Sequence, residues 1–167
     1  LDIPGFFVFG SNDYYAPKIG NPFTYLVGPT NYDRGEPDLP WPELSSALSS
    51  GGWIDLSNRR DHIKVDGRLI DVRGVDDPHI GRDQYEPIAG PFDPTADLAL
   101  GVSHAPYLRV LDAMADDGAQ LIMAGHTHGG QVCIPGYGAL VTNCDIDTSR
   151  VKGLHHHKNS WLHVSAG

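Results

Sequence analysis

Leu121-Ile-Met-Ala-Gly-His-Thr-His-Gly-Gly-Gln131 is the stretch from which the fold can be read. Four apolar residues, Leu121 to Ala124, have the length and character of a strand buried on both faces, as the central strands of parallel sheets are. Gly125 ends the run, and His126 and His128 follow with one residue between them. In extended chain, residues two apart point to the same side. Both imidazoles are therefore expected to face one point just beyond the strand's end. Gly129 and Gly130 then let the backbone turn tightly. Two imidazoles aimed at one point suit a divalent transition metal; the competing reading is a pair of solvated loop residues. The buried strand before them and the paired glycines after them favour the metal.

Working outward, Ala96-Asp-Leu-Ala-Leu-Gly-Val-Ser-His104 is a second apolar run closed by a histidine. Leu108, Leu111, Met114 and Ala115 then recur at the spacing of a helix with one buried stripe. Asp116-Asp117-Gly118 stops that helix, and Leu121 opens the next strand. Strand, helix and strand within about 30 residues make a βαβ unit with two parallel strands. Gly5-Phe-Phe-Val-Phe-Gly10 reads as a further buried strand, Phe6–Phe9, followed by Ser11-Asn12-Asp13. These short polar residues have two readings: a turn or helix cap, or oxygen ligands and an acid–base group. If the three strands are parallel neighbours, Ser11-Asn12-Asp13, His104, His126 and His128 share one carboxyl-terminal rim, where open α/β sheets build their sites. No Gly-rich nucleotide fingerprint is present. Neither Ser11 nor Ser103 has the Gly-x-Ser-x-Gly setting of a hydrolase nucleophile.

The rest of the chain fits an α/β domain. Trp41-Pro-Glu-Leu-Ser-Ser-Ala-Leu-Ser-Ser-Gly-Gly52 reads as a short helix ended by its glycines. Trp53–Leu56, Asp61–Val65 and Arg68–Arg73 read as strands, the last two joined by an Asp66-Gly67 hairpin, with His62 on a solvent face. Asp76-Asp77 before Pro78 read as turn formers, with a metal or general-base role as the alternative. Residues 16–40 form a loop long enough for a lid or substrate-facing wall, and 80–96 are again loop. Gln131–Ile134, Ala139–Thr142 and Leu162–Val164 read as short strands, and His155-His156-His157 as a solvated loop. Cys133 and Cys144 flank the turn Pro135-Gly-Tyr-Gly138; free buried thiols are expected, with pairing across the hairpin as the alternative.

At 167 residues the chain is read as one domain with a real core. A net charge of −9 argues against nucleic acid or an anionic membrane as the default partner. It does not argue against an anionic substrate, because a bound dication inverts the local field. No run approaches the apolar length of a transmembrane helix, and no signal peptide is visible.

With these residues in view, the sequence resembles the calcineurin-like metallophosphoesterases, in a bacterial phosphodiesterase-type form. The motifs that carry the resemblance are Val8-Phe-Gly-Ser-Asn-Asp13, Gly101-Val-Ser-His-Ala-Pro106 and Gly125-His-Thr-His128 with Gly129-Gly130-Gln131, in the family's order and spacing. The resemblance runs over most of the chain. It implies a four-layer αββα sandwich holding two divalent metal ions (Mn, Fe or Zn) that activate a bridging hydroxide for phosphoester hydrolysis. Residue by residue, it implies His104, His126 and His128 as metal ligands.

Two departures from the family matter. Where the family has Gly-Asn-His-Asp, this chain has Gly10-Ser11-Asn12-Asp13. In a gapless match Ser11 takes the ligand Asn's place and Asn12 that of the His that assists the leaving group. A one-residue shift instead delivers Asn12 to the metal, and that reading is preferred, with Asp13 as the catalytic residue. Either way the acid His is missing, and an amide does not donate a proton as an imidazolium does. The family's Asp-x-His and Gly-Asp motifs, which precede the first strand, are also not among these residues. The sandwich is therefore expected to be incomplete in residues 1–167, a segment of a longer chain whose location, cytoplasmic or membrane-associated, would depend on upstream sequence. The expected partner is a phosphorylated small-molecule or lipid-linked substrate, and no nucleic acid. A non-catalytic metallophosphoesterase-like metal-binding or interaction domain is the first rival. A cupin-type metal oxidoreductase is the second; it shares His-x-His but needs an all-β barrel and a downstream Glu, which residues 129–154 lack.

Overall fold

Strand β1 (Gly5–Phe7) pairs in parallel with β2 (Trp53–Asp55), and the segment between them contains α1 (Ser11–Tyr14) and α2 (Trp41–Ser50). The computed structural model describes residues 5–17, 35–130, 132–134, 136 and 138–167. Most of the expected lid loop, at 18–34, lies outside the described residues, and so does the side chain of Cys133. Cys144 is free and buried.

The strands β3 (Arg59–Val65), β4 (Arg68–Gly74), β5 (Leu98–Val102), β6 (Leu121–Ala124), β9 (Gly153–His157) and β10 (Ser160–Val164) form one mixed sheet in the order β3-β4-β5-β6-β10-β9. β4, β5, β6 and β10 run parallel, and the two edge strands are antiparallel to their neighbours. Helix α3 (Leu108–Asp116) makes the crossover from β5 to β6, as the apolar spacing predicts. The hairpin between β3 and β4 turns at Asp66 and Gly67, both left-handed, the geometry of a two-residue primed turn. A second hairpin, β7 (Val132–Ile134) and β8 (Gly138–Val141), stands apart from the sheet.

The first strand is not a neighbour of β5 or β6, which corrects the expectation of three adjacent strands. β5 already has β4 and β6 on its two sides. β1 and β2 lie instead over one face of the large sheet. Phe6, Val8 and Ile54 pack there against Leu56, Val72, Leu100 and Val102. The alternate residues Phe7 and Phe9 face the other way, into an aromatic cluster with Tyr14, Tyr15 and Trp41. The opposite face of the sheet buries Ala99, Ile122, Ala124, Leu162 and Val164 under Val110, Leu111 and Met114 of α3. Where β1 and β2 do not reach, the sheet leaves Met123, Leu154 and Trp161 exposed. Residues 155–157, expected as loop, belong to β9: the His156 ring stacks on Trp161, and buried His157 reaches Asp112 at 2.9 Å.

Under α3's side of the sheet, the buried Arg73 guanidinium gathers the segment after β4. It donates to the carbonyls of Ile88, Gly90 and Pro91, sits 3.4 Å from an Asp117 oxygen and lies over the Phe92 ring. Breaking one partner of such a buried pair typically costs about 3–5 kcal/mol.

Gly74 is a point of close approach between the two layers. A Cβ there would stand 2.6 Å from both Cβ and the carbonyl oxygen of Leu56 and 2.8 Å from Val8. Because a backbone oxygen is one of the obstacles, the neighbour cannot swing aside. Gly74→Ala is expected to lower unfolding stability by about 1–3 kcal/mol, measured by urea denaturation. An unchanged midpoint would show that the contact between the sheets is loose.

Candidate functional site

The parallel pairs set the rim. Gly74 is level with Val102, and Val102 with Met123. The residues just beyond, Asp77, His104 and His126, therefore emerge side by side from three adjacent strands. The Gly125 amide donates to the His104 carbonyl at 2.9 Å and ties the two histidine-bearing loops together.

The loop after β6 is not extended, contrary to the alternation expected of His126 and His128. His126, His128, Gly129 and Gly130 all have left-handed backbone, with φ of 68°, 51°, 74° and 106°. Left-handed conformation in a non-glycine residue costs roughly 1–2 kcal/mol, and such strain persists where the surroundings over-determine it. Here Thr127 does so: it is fully buried, and its hydroxyl donates to the Val151 carbonyl at 2.6 Å. With Thr127 pinned inward, the flanking histidines part. His126 turns toward His104, His79 and Asn143, while His128 is exposed.

His104 Nε2 and His126 Nδ1 stand 3.2 Å apart. With metal–nitrogen bonds near 2.0–2.1 Å, two ligands on one tetrahedral or octahedral ion are separated by about 2.9–3.4 Å. The two rings are hydrogen-bonded nitrogen to nitrogen, at a separation that matches one edge of a coordination polyhedron. Burial, with His79, His104 and His128 nearby, holds the His126 imidazolium pKa down to about 3. The ring is thus neutral near pH 7, the form that ligates a metal. Among the described residues, no three His, Cys, Asp or Glu side chains stand together as a closed metal site.

The loop from β1 does reach this rim, although its strand belongs to the other sheet. A Cβ on Gly10 would fall 2.3 Å from the His104 ring, so only glycine lets the backbone lie against that imidazole. Of the sequence candidates on α1, Ser11 is buried, Asn12 is exposed and makes none of the described hydrogen bonds, and Asp13 caps the helix by accepting from the Gly10 amide at 2.8 Å. The structure thus brings His104 and His126 together and leaves Asn12 and His128 at the surface.

Sequence reasoning undervalued the tip of β4. Asp77 does form the expected turn before Pro78, but both Asp76 and Asp77 are buried. Asp76 accepts from the Tyr14 hydroxyl and from Arg82 Nε, whose guanidinium lies over the Tyr14 ring. Asp77 caps the 3₁₀ turn Pro78–Ile80 by accepting from the His79 amide at 2.8 Å. That turn sets the His79 ring 4.4 Å from the His126 ring, with His79 Nδ1 3.1 Å from the Tyr107 hydroxyl. The available signal was the one that found His104: polar residues directly following a buried strand.

No family model matches the chain, and no solved structure matches it significantly. Three Bacillus subtilis proteins do. The chain is 31% identical over 114 residues to the uncharacterized protein YpbG, covering 68% of this chain and 41% of that protein. It is 28% identical to the uncharacterized metallophosphoesterase YkuE, covering 75% of this chain and 42% of the other. The chain is distantly similar to metallophosphoesterases. The uncharacterized metallophosphoesterase YkoQ extends the match, at 27% identity over 82% of this chain and 50% of that protein. The chain therefore spans half or less of the length of these relatives, and it is metallophosphoesterase-like at the level of distant resemblance.

Two outcomes are expected from this geometry. Gly10→Ala should push the His104 ring off His126 while leaving the fold intact by circular dichroism, and metal affinity measured by calorimetry should fall about tenfold or more; undiminished affinity would place Gly10 outside the site. Separately, an unfolded chain protonates His126 near the ordinary 6.5 and the folded chain only near 3. Stability of the metal-free protein is then complete above pH 6.5 and declines as pH falls below it. Its Tm should be lower at pH 5 than at pH 7, and His126→Gln should flatten part of that difference.

Proposed function

We propose that this chain carries part of the dinuclear centre of a metal-dependent phosphoesterase acting on phosphodiester or pyrophosphate bonds. The observation that carries the reading is the 3.2 Å approach of His104 Nε2 to a neutral His126 Nδ1. The layering supports it: α2, the β1–β2 pair, the six-stranded sheet and α3 succeed one another as the layers of an αββα sandwich would. The distant similarity to proteins named metallophosphoesterases points the same way. In this proposal residues 1–167 act as one domain, and the remaining ligands come from outside them.

His104 and His126 fit a divalent ion, and His128 and Asn12 would join by closing toward it. Manganese, iron or zinc suits such nitrogen and oxygen donors. A bound metal would supply a nucleophile near neutral pH and neutralise charge building on the phosphoryl group. The chain's own part is positional. Asp13 holds the Gly10 amide, Gly10 lies against His104, and the Thr127 anchor fixes the turn that presents His126. With Asn12 where an imidazole would be expected, good leaving groups should be favoured, because an amide does not donate a proton to a poor one as an imidazolium does. A phosphorylated small molecule or lipid-linked phosphate is the proposed substrate class; the net charge of −9 disfavours nucleic acid.

A non-catalytic metal-binding or interaction domain is the second reading, favoured by Asn12 standing where the acid His is expected. Hydrolysis of bis(p-nitrophenyl) phosphate by the full-length protein with added Mn2+ separates the two. His104→Ala and His126→Ala are each expected to reduce the metal-dependent rate by about two orders of magnitude or more. Metal binding without turnover in the wild type would favour the second reading, and full activity in both variants would refute the site assignment.

A further inference from the structure

We infer that Asp77 is an oxygen ligand in the same metal site as His104 and His126, completing a three-residue set drawn from three consecutive strand ends. The inference rests on the metal reading above and adds a residue to it. Its first support is position. Asp77 lies three residues past Gly74 on β4, and His104 lies two past Val102 on β5. His126 lies three past Met123 on β6, and these strand residues are level with one another. Main-chain pairing thus delivers all three to one spot on the rim, and the bond from the Val75 amide to the Val102 carbonyl continues the β4–β5 ladder toward it.

The second support is an unmatched atom. The Asp77 side chain is fully buried. Its Oδ1 accepts from the His79 amide, but its Oδ2 has no hydrogen-bond partner. That oxygen lies 4.0 Å from His104 Nε2, too far for a hydrogen bond. A buried carboxylate oxygen without a donor is costly and is retained where something else satisfies it. Arg82, the nearby cation, is engaged by the neighbouring Asp76 at 3.0 Å. The groups facing Asp77 are His104, the Ser11 and His79 amides, Asp76 and Tyr107; the Ser11 amide approaches the carboxylate without making a hydrogen bond of good geometry to Oδ2.

The third support is which nitrogen Asp77 faces. A carboxylate that merely orients a metal-bound histidine takes the N–H of the ring nitrogen remote from the metal. Asp77 Oδ2 faces Nε2 of His104, the same nitrogen that faces His126 Nδ1. Asp77 Oδ2 and His126 Nδ1 thus both stand beside the same nitrogen of His104, at 4.0 and 3.2 Å, the side on which a ligand and not a supporting carboxylate would lie, and a bound ion would draw the three together.

Cobalt titration of the full chain tests this by absorption spectroscopy, without any assay of activity. Wild type is expected to bind Co2+ with visible d–d bands. Asp77→Asn should bind about tenfold or more weakly, with altered bands. The Tm of its metal-free form should stay at or above that of wild type, because the variant removes an unsatisfied buried charge. Asp77→Cys should gain a near-ultraviolet thiolate-to-cobalt charge-transfer band that wild type, with its own two cysteines, lacks. Cobalt binding by Asp77→Cys without that band, or unchanged affinity and spectrum in Asp77→Asn, would overturn the inference while leaving the metal site standing. Failure of wild type to bind cobalt would instead refute the metal reading itself, and the inference with it.

Discussion

Everything in this molecule hangs on the parallel register of β4, β5 and β6. Strand pairing has a side-chain period of two, so a slip of one residue would exchange the buried faces of a strand. The register is held from both ends. At the start of the strands, the Gln120 side chain accepts from the Ala99 amide while the Gln120 amide donates to the Ala99 carbonyl. At the far end, the Ser103 amide donates to the Met123 carbonyl and the Gly125 amide to the His104 carbonyl. Between them, Leu100 and Val102 face the β1–β2 layer while Ala99 and Ile122 face α3. A site assembled from the ends of these strands inherits its precision from that ladder, not from the loops.

The buried polar groups sort by how completely they are satisfied. Arg73 is satisfied at its two terminal nitrogens by carbonyls and lies over an aromatic face, with its Nε left without a partner, and its work is to pin residues 86–92 against the sheet. Asp77, no less buried, spends one oxygen on its own turn and leaves the other without a donor. Thr127 is satisfied by Val151, and that bond allows its histidine neighbours to adopt a backbone they would not choose. Two of these three groups bear on the rim where the imidazoles meet.

Close approach is a second constraint. Gly74 lets the β1–β2 pair settle on the large sheet, and Gly10 lets the loop after β1 lie on the His104 ring. The first strand thus contributes to the rim across a sheet-to-sheet interface rather than along a hydrogen-bonded ladder. That is why Gly10 lies against a histidine loop although β1 pairs with β2 and not with the large sheet among the described residues.

The sequence by itself determined the local elements: the β5–α3–β6 crossover from apolar spacing, the Asp66-Gly67 turn from its residue types, α2 from its proline start and glycine stop, and His104 and His126 from their places after buried runs. These are legible because periodicity, capping and turn chemistry act between residues a few positions apart. Only the tertiary structure decided that β1 leaves the main sheet, that His128 turns outward while His126 turns in, and that Asp77, which does form the turn its residue type predicts, is also fully buried at the rim. Each of those depends on what a segment meets from far along the chain. The Val151 carbonyl pins Thr127, the β4 and β6 neighbours exclude β1 from the edge of β5, and the His104 loop closes over Asp77. No pattern read along one stretch contains its distant partner, and for these residues the partner is what sets the outcome.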